Sequence, residues 1–308
     1  MKKALVIGSI NLDITGNIDH YPKLGETILA SNTSITPGGK GANQALSLQK
    51  MGVAVTMVGR TGQDQLAEPA LAELSRHHVD LTEVRQSSKK PTGLAMIWVD
   101  KNGNNSIVVS SGANAELTVE DIRELEGLIA SSAAVVLQLE IPVETVFAAA
   151  KMAKKHHVPV ILNAAPAASL STEMFATIDV LVCNETEASL LTGEEIHTIE
   201  DAKVAAGVLL KKIGLGKVII TLGESGTIYT ETGGEINHQP AFKIEPVDSV
   251  AAGDAFVGGL VACLIQKKTL KEAVMWGSAC GAITATRQGA QTALPEKKEV
   301  EAFIRSRQ

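Results

Sequence analysis

The chain has 308 residues, 45% apolar and 20% charged, the balance of an ordinary globular protein long enough for a substantial core. Lys plus Arg number 28 against 34 Asp plus Glu, a net charge of −6, which argues against a nucleic-acid binder. No apolar run approaches a membrane span, and the cysteines (Cys183, Cys263, Cys280) lie far apart in apolar contexts, as buried thiols of a cytoplasmic protein would.

The opening run Met1–Ile7 ends at Gly8-Ser9 and meets Asn11 and Asp13 at once, so it reads as a strand and not as a signal peptide. Further β-branched runs predict strands over Val53–Val58, Ala134–Leu139, Val158–Leu162, Val180–Val182 and Val218–Leu222. Amphipathic stretches between them, such as Gln65–His77, Val143–His156 and Asp201–Ile213, predict helices. This alternation indicates an α/β fold with a mainly parallel, helix-covered sheet. Two stretches break the rhythm. Leu12–Thr36 and Thr92–Ser110 alternate polar and apolar residues around turn signals such as Lys101-Asn102-Gly103-Asn104, and read as antiparallel strands outside the main sheet. From Ala255 to Thr286, and again from Lys297 to Ile304, the pattern is helical. No linker or repeat divides the chain, so residues 1–308 read as one domain.

Several polar motifs stand at the edges of these elements. Gly38-Gly39-Lys40-Gly41-Ala42-Asn43-Gln44 is a glycine-rich loop entering a helix, able to bring backbone N–H groups and one cation to a ligand, or simply a tight turn. Asn11 and Asp13 lie just past the first strand, where open α/β sheets bind ligands; they could take two hydroxyls of a polyol or form an Asx-turn. Glu140 and Asn184 end buried strands in the same way. Asn184 and Glu187 could form a capping box or orient water around Mg²⁺, and the Thr221–Gly226 turn could carry a nucleotide. Asp248-Ser249-Val250-Ala251-Ala252-Gly253-Asp254 places two acids around small residues just before a long apolar helix. Free N–H groups and the dipole of such a helix start favour an anion, and an acid beside an anion pocket suits phosphoryl transfer to a hydroxyl. Asp254 is equally suited to cap the helix.

Together and in this order, these segments closely resemble the ribokinase family of carbohydrate kinases, with Gly8-Ser9-Ile10-Asn11, Gln138-Leu139-Glu140 and Thr286-Arg287-Gln288-Gly289-Ala290-Gln291 adding to the match. The resemblance runs nearly end to end, and the Gly-Gly-Lys-Gly loop and the Ala-Gly-Asp motif are the signatures of that family. It implies a three-layer α/β/α kinase domain whose small β lid, at about 12–36 and 92–110, covers the sugar and commonly pairs with a partner's lid as a homodimer. Asp254 is implied as the base, with the N–H groups of Ala251, Ala252 and Gly253 as anion hole. The sugar falls to Asn11, Asp13, Gly39, Lys40, Asn43 and Glu140. Asn184 and Glu187 are implied to serve Mg-ATP, Thr221, Gly223 and Gly226 the nucleotide, and Ser278 stands where a nucleotide-contacting His is expected. The resemblance also implies an activating K⁺ near Asp248, Val250, Thr284, Arg287, Gly289 and Ala293, largely through backbone carbonyls.

D-ribose is the substrate this pattern favours, giving ribose 5-phosphate. Leu12, where a smaller Ala is common, departs from the pattern, and a bulkier group near the 2-position could favour 2-deoxyribose. A kinase of a nucleoside, fructose or a keto-deoxy sugar acid is the rival enzyme, the acid being disfavoured by the few cations near the site. A catalytically silent sugar- or nucleotide-binding regulator would have lost the acid of the Ala-Gly-Asp motif, which is present as Asp254.

Overall fold

The computed structural model describes residues 3–102, 104–214 and 216–307. Met1 and Lys2 of the opening run, and Gly103 of the Lys101–Asn104 turn, lie outside the described residues. The strands in chain order are β1 (Ala4–Ile7), β2 (Asn11–Ile18), β3 (Asn32–Gly38), β4 (Val55–Gly62), β5 (Asp80–Ser87), β6 (Gly93–Asp100), β7 (Asn105–Ser110), β8 (Ala134–Leu137), β9 (Val160–Asn163), β10 (Val180–Asn184), β11 (Lys217–Thr221), β12 (Thr227–Glu231) and β13 (Asn237–Gln239).

A nine-stranded sheet runs β13-β12-β11-β10-β9-β8-β1-β4-β5, parallel from β5 to β11 and antiparallel across β12 and β13. Its central strands β1, β8 and β9 are buried on both faces, because helices cover both. Along β1 the alternation separates two cores: Ala4 and Val6 join one cluster, Leu5 and Ile7 the other. This is the three-layer α/β/α arrangement expected. The strands β5, β12 and β13 were not anticipated. They lie at the two margins of the sheet; exposed or half-exposed polar residues such as Asp80, Thr82 and Asn237 hide the signal of β5 and β13, and the buried Thr227 and Thr230 interrupt that of β12.

The second sheet has the order β3-β2-β6-β7. Its outer pairs are antiparallel, as expected, whereas the central pair β2–β6 is parallel. The cause lies in the main sheet: β1 and β5 are both parallel strands, so the chain leaves both at the same end to enter β2 and β6. The C-terminal helical stretch is two helices, Ala252–Ile265 and Leu270–Ala285, the second capped by Thr269 with Glu272 in a capping box.

Strand alternation also corrects the reading of Leu12. Asn11 and Asp13 face one side of β2, while Leu12 faces the other and is 2% exposed within a hydrophobic core cluster. It therefore does not touch a ligand held by its neighbours. Leu12→Ala is expected to cost about 2–5 kcal/mol of stability and to leave the ratio of ribose to 2-deoxyribose KM unchanged. Chemical denaturation and sugar kinetics on the same variant check both halves.

Candidate active site

The carboxyl ends of β1, β8, β10 and β11 open on one side of the main sheet, and the second sheet rises above the same edge. Between them lies a cavity of about 260 Å³. Asn11, Asp13, Gly39, Lys40, Asn43, Glu140 and Asp254 all line it, so every sugar residue expected from the sequence meets the expected base. The second sheet supplies its apolar wall, Ala95, Ile97, Ile107 and Val109. A larger hollow of about 740 Å³ lies at the amino ends of β8–β11 and contains none of the expected residues.

Gly39 has φ 87, and a Cβ there would come within 2.7 Å of the Asn11 nitrogen, so only glycine lets the loop cross the end of β1. The loop then enters the helix Lys40–Lys50, whose first turn faces the cavity. Ser9 Oγ donates to Glu140 Oε2 at 2.5 Å, and the Lys40 N–H donates to the same oxygen at 3.1 Å. Asn114 donates from Nδ2 to Asn11 Oδ1 at 2.7 Å and holds the Ile10 backbone through both its amide atoms. Ser9 and Asn114 thus orient two of the expected sugar contacts. Ser9 stands inside a motif already singled out, but nothing in the sequence around Asn114 marked it.

Asp254 is 5% exposed in the first turn of the helix Ala252–Ile265. Its Oδ2 accepts from Asn43 Nδ2 and its Oδ1 from Gln44 Nε2, each at 2.9 Å. The capping expectation is not met: the helix has no side-chain cap, and its N-cap is Ala251 in the left-handed region at φ 59. Among the described residues the N–H groups of Ala251, Gly253 and Asp254 donate to no protein acceptor, while that of Ala252 reaches Ser249 O at 3.2 Å. An open helix start beside a buried carboxylate can hold an anion and receive a proton.

Asp13 is buried, with Oδ1 lacking any partner among the described residues. Burial, then the charges of Glu140 and Asp254, push its carboxyl up to about 7, against the pull of Lys40. Burial works to lower the Lys40 ammonium, but Asp254, Glu140, Glu187 and Asp13 outweigh it and hold it above its ordinary value.

Asn184 and Glu187 do form the capping box: Asn184 Oδ1 accepts from the Glu187 N–H and Glu187 Oε2 from the Asn184 N–H, both at 2.9 Å. Asn184 Nδ2 also donates to Glu187 Oε1 at 3.1 Å, and burial raises the Glu187 carboxyl above its usual range. With both oxygens engaged, the pair suits water around a metal better than the metal itself. Thr221 ends β11, and a Cβ on Gly223 would meet nothing, so that turn lies open. Gly226 differs: a Cβ would meet Gln239 O at 2.2 Å, so its glycine is required by the packing of β13. Ser278 Oγ is buried without a partner.

Asp248 accepts from the Val250 N–H and from the Gly289 N–H, each at 3.0 Å, and so ties the loop before Asp254 to the segment after Leu270–Ala285. The carbonyls of Val250 and Gly289 accept no hydrogen bond among the described residues. Thr284 O accepts from the Arg287 N–H at 3.0 Å, and Ala293 O from the Arg287 guanidinium at 3.5 Å. The Arg287 side chain itself pairs with Glu299, so this residue has only its backbone to offer a cation.

Residues 1–297 match the pfkB family of carbohydrate kinases. The chain belongs to that family. It is 39% identical over 305 residues to the ribokinase of Haemophilus influenzae, covering 99% of both chains. It is 35% identical over 300 residues to the deoxyribokinase of Salmonella typhi, covering 97% of both. The structure of Arabidopsis thaliana ribokinase complexed with ribose and ATP superposes with a TM-score of 0.90 at 31% identity, over 98% of each chain.

The Asp13 environment has a measurable consequence. A carboxyl whose pKa is raised from 3.8 to about 7 on folding favours the folded state fully below its unfolded value, and that contribution is lost as pH rises through about 7. Asp13→Asn should therefore raise Tm above about pH 7 while raising sugar KM about ten-fold or more, through the loss of charge-assisted acceptors. In the unsubstituted protein sugar KM should climb as pH falls through about 7. Thermal melts and KM measured across pH test the pair.

Proposed function

We propose that the chain is an ATP-dependent sugar kinase transferring the γ-phosphoryl group to the 5-hydroxyl of D-ribose, giving ribose 5-phosphate and ADP. The observation that carries this reading is one cavity where six groups able to bind a polyol share the lining with the Asp254 carboxylate at an open helix start. Asp13 and Glu140 accept hydroxyl protons, Asn43 accepts at its Oδ1, unpartnered among the described residues, Lys40 and the Asn11 Nδ2 donate, and the backbone of Gly39 packs close. Asp254 takes the proton of the 5-hydroxyl as that oxygen bonds to the γ-phosphorus and the bond to the bridging oxygen breaks, leaving ADP. The N–H groups of Ala251 and Gly253, with Ala252 if its bond to Ser249 opens, stabilise the charge on the transferring group.

Asn184 and Glu187 fit an Mg²⁺ held through water, which would draw charge off the β- and γ-phosphates. Thr221, Gly223 and Ser278 are the chain's contacts for the nucleotide in this reading; Gly226 shapes the turn. Asp248 and the free carbonyls of Val250, Arg287 and Gly289 fit a K⁺, with Thr284 and Ala293 offering shared carbonyls; the ion would rigidify the loop before Asp254. The β2–β3 and β6–β7 hairpins act as the lid of one domain spanning 1–308. Ile35 and Val108, on the lid face away from the cavity and 62% and 54% exposed, suit a homodimer. Cytoplasmic residence accords with three free, buried cysteines.

A 2-deoxyribose kinase is the second reading, favoured by the Salmonella typhi relative. Asn11 and Asp13, both in the cavity, favour the sugar that keeps its 2-hydroxyl, because a buried polar group left unpaired costs heavily. An ATP-consumption panel of ribose, 2-deoxyribose, fructose and adenosine should show the highest kcat/KM with ribose. Replacing K⁺ by tetramethylammonium should lower that rate, and equal rates would remove the cation from the reading. Asp254→Asn should cut kcat by about 10²–10⁴-fold with little change in sugar KM; near-normal turnover would overturn its role as base.

A further inference from the structure

Three buried amides form a chain behind Asp254 that the proposed chemistry does not use. Gln44, wholly buried, donates from Nε2 to Asp254 Oδ1 at 2.9 Å and to Asn163 Oδ1 at 3.0 Å. Its Oε1 accepts from Gln138 Nε2 at 2.7 Å, and Gln138 is also wholly buried. Asn163 in turn donates from Nδ2 to Val182 O at 3.3 Å in the main sheet. A primary amide has two orientations related by a half-turn, and only one of them presents N–H to a carboxylate. Turned over, Gln44 would set its oxygen against Asp254 and its NH₂ against the Gln138 NH₂. The acceptor of Asn163, itself oriented by the Val182 carbonyl, therefore chooses the orientation that serves Asp254, and Gln138, whose own Oε1 has no partner among the described residues, supplies the matching donor.

Gly8 completes the arrangement. A Cβ at Gly8 would stand 1.9 Å from Gln138 Oε1 and 2.9 Å from the Gly41 Cα, so this glycine makes the room that Gln138 occupies. Gly8, Gln44 and Gln138 all belong to the motifs picked out in the sequence, yet none lines the sugar cavity.

We propose that Gln44 is a positioning residue for the phosphoryl-transfer step, with Gln138 and Asn163 fixing its amide so that it aims the Asp254 carboxylate at the sugar's hydroxyl. The inference rests on Asp254 being the base, and it accounts for three buried polar side chains that a hydrophobic core would otherwise exclude.

Gln44→Met keeps the length and most of the volume of the side chain but cannot donate. We expect kcat to fall about ten- to a hundred-fold, with sugar and ATP KM changing less than about three-fold. Gln138→Met, which leaves Gln44 free to turn over, should lower kcat in the same direction by a smaller factor. A residue needed only for packing would be rescued by Met and would fail only as Gln44→Ala. Gln44→Met and Gln138→Met both within about two-fold of normal kcat would overturn the inference, while an inactive Asp254→Asn measured beside them would leave the base assignment standing. A near-normal Asp254→Asn would instead remove the base assignment itself. Should Gln44→Met fail to fold, Gln138→Met decides by the same kcat criterion.

Discussion

The site depends on how closely two helices cross. A Cβ at Gly258 would lie 2.4 Å from the Ser47 Cβ, so the helices Lys40–Lys50 and Ala252–Ile265 touch where one side chain is absent. Ser47 Oγ donates to Ala255 O at 3.3 Å across that contact. One turn earlier on each helix stand Asn43 and Gln44 on one side and Asp254 on the other, in register because residues three and four apart share a helix face. The glycine that permits the crossing therefore sets the distance over which two amides reach the carboxylate. It also explains why two segments more than 200 residues apart form one site.

Electrostatics sharpen what such a site can hold. Asp13, Glu140 and Asp254 share the cavity with a single cation, Lys40. A surplus of buried carboxylate repels an acidic substrate and attracts hydroxyl donors, which suits a neutral polyol. The strain of this excess is visible at Asp13, whose Oδ1 has no partner among the described residues and whose carboxyl is pushed up to about 7. In the proposed reaction the transferring phosphoryl group, which is negative, would meet a different part of the wall, the N–H groups at the start of Ala252–Ile265. Carboxylates suited to a sugar and N–H groups suited to a phosphate are thus separated by the Asp254 side chain.

Much of this was readable from residues alone. β1 could be bounded from its apolar run, and Gly38–Gln44 and Asp248–Asp254 declared themselves because glycine and small-residue clusters next to apolar helices have few other uses. The margin strands β5, β12 and β13 were not readable: β5 and β13 are partly exposed and polar, and β12, though buried, breaks its apolar run with Thr227 and Thr230. Leu12 was misjudged by adjacency in sequence: neighbours on a strand face opposite ways, and only the pairing of β2 with β6 shows which face meets the cavity. Asn114 was invisible because its partners, Ile10 and Asn11, are about a hundred residues away. Asn163 could have been found by the logic applied to Glu140 and Asn184, as a polar residue ending a buried strand.

The two acids of the Asp248–Asp254 segment are fixed by different means, and the difference fits their places. Asp254 is held by side chains from another helix, Asn43 and Gln44, so its backbone N–H stays open toward the cavity. Asp248 is held by backbone N–H groups, those of Val250 and Gly289, so it fastens two loops and leaves their carbonyls unspent. Between them Ala251 adopts a left-handed conformation that costs a non-glycine residue about 1–2 kcal/mol. A strained turn persists only when both of its ends are tied. Here the ties are the two carboxylates themselves, and the segment they clamp is the one whose N–H groups must already point the right way when charge develops.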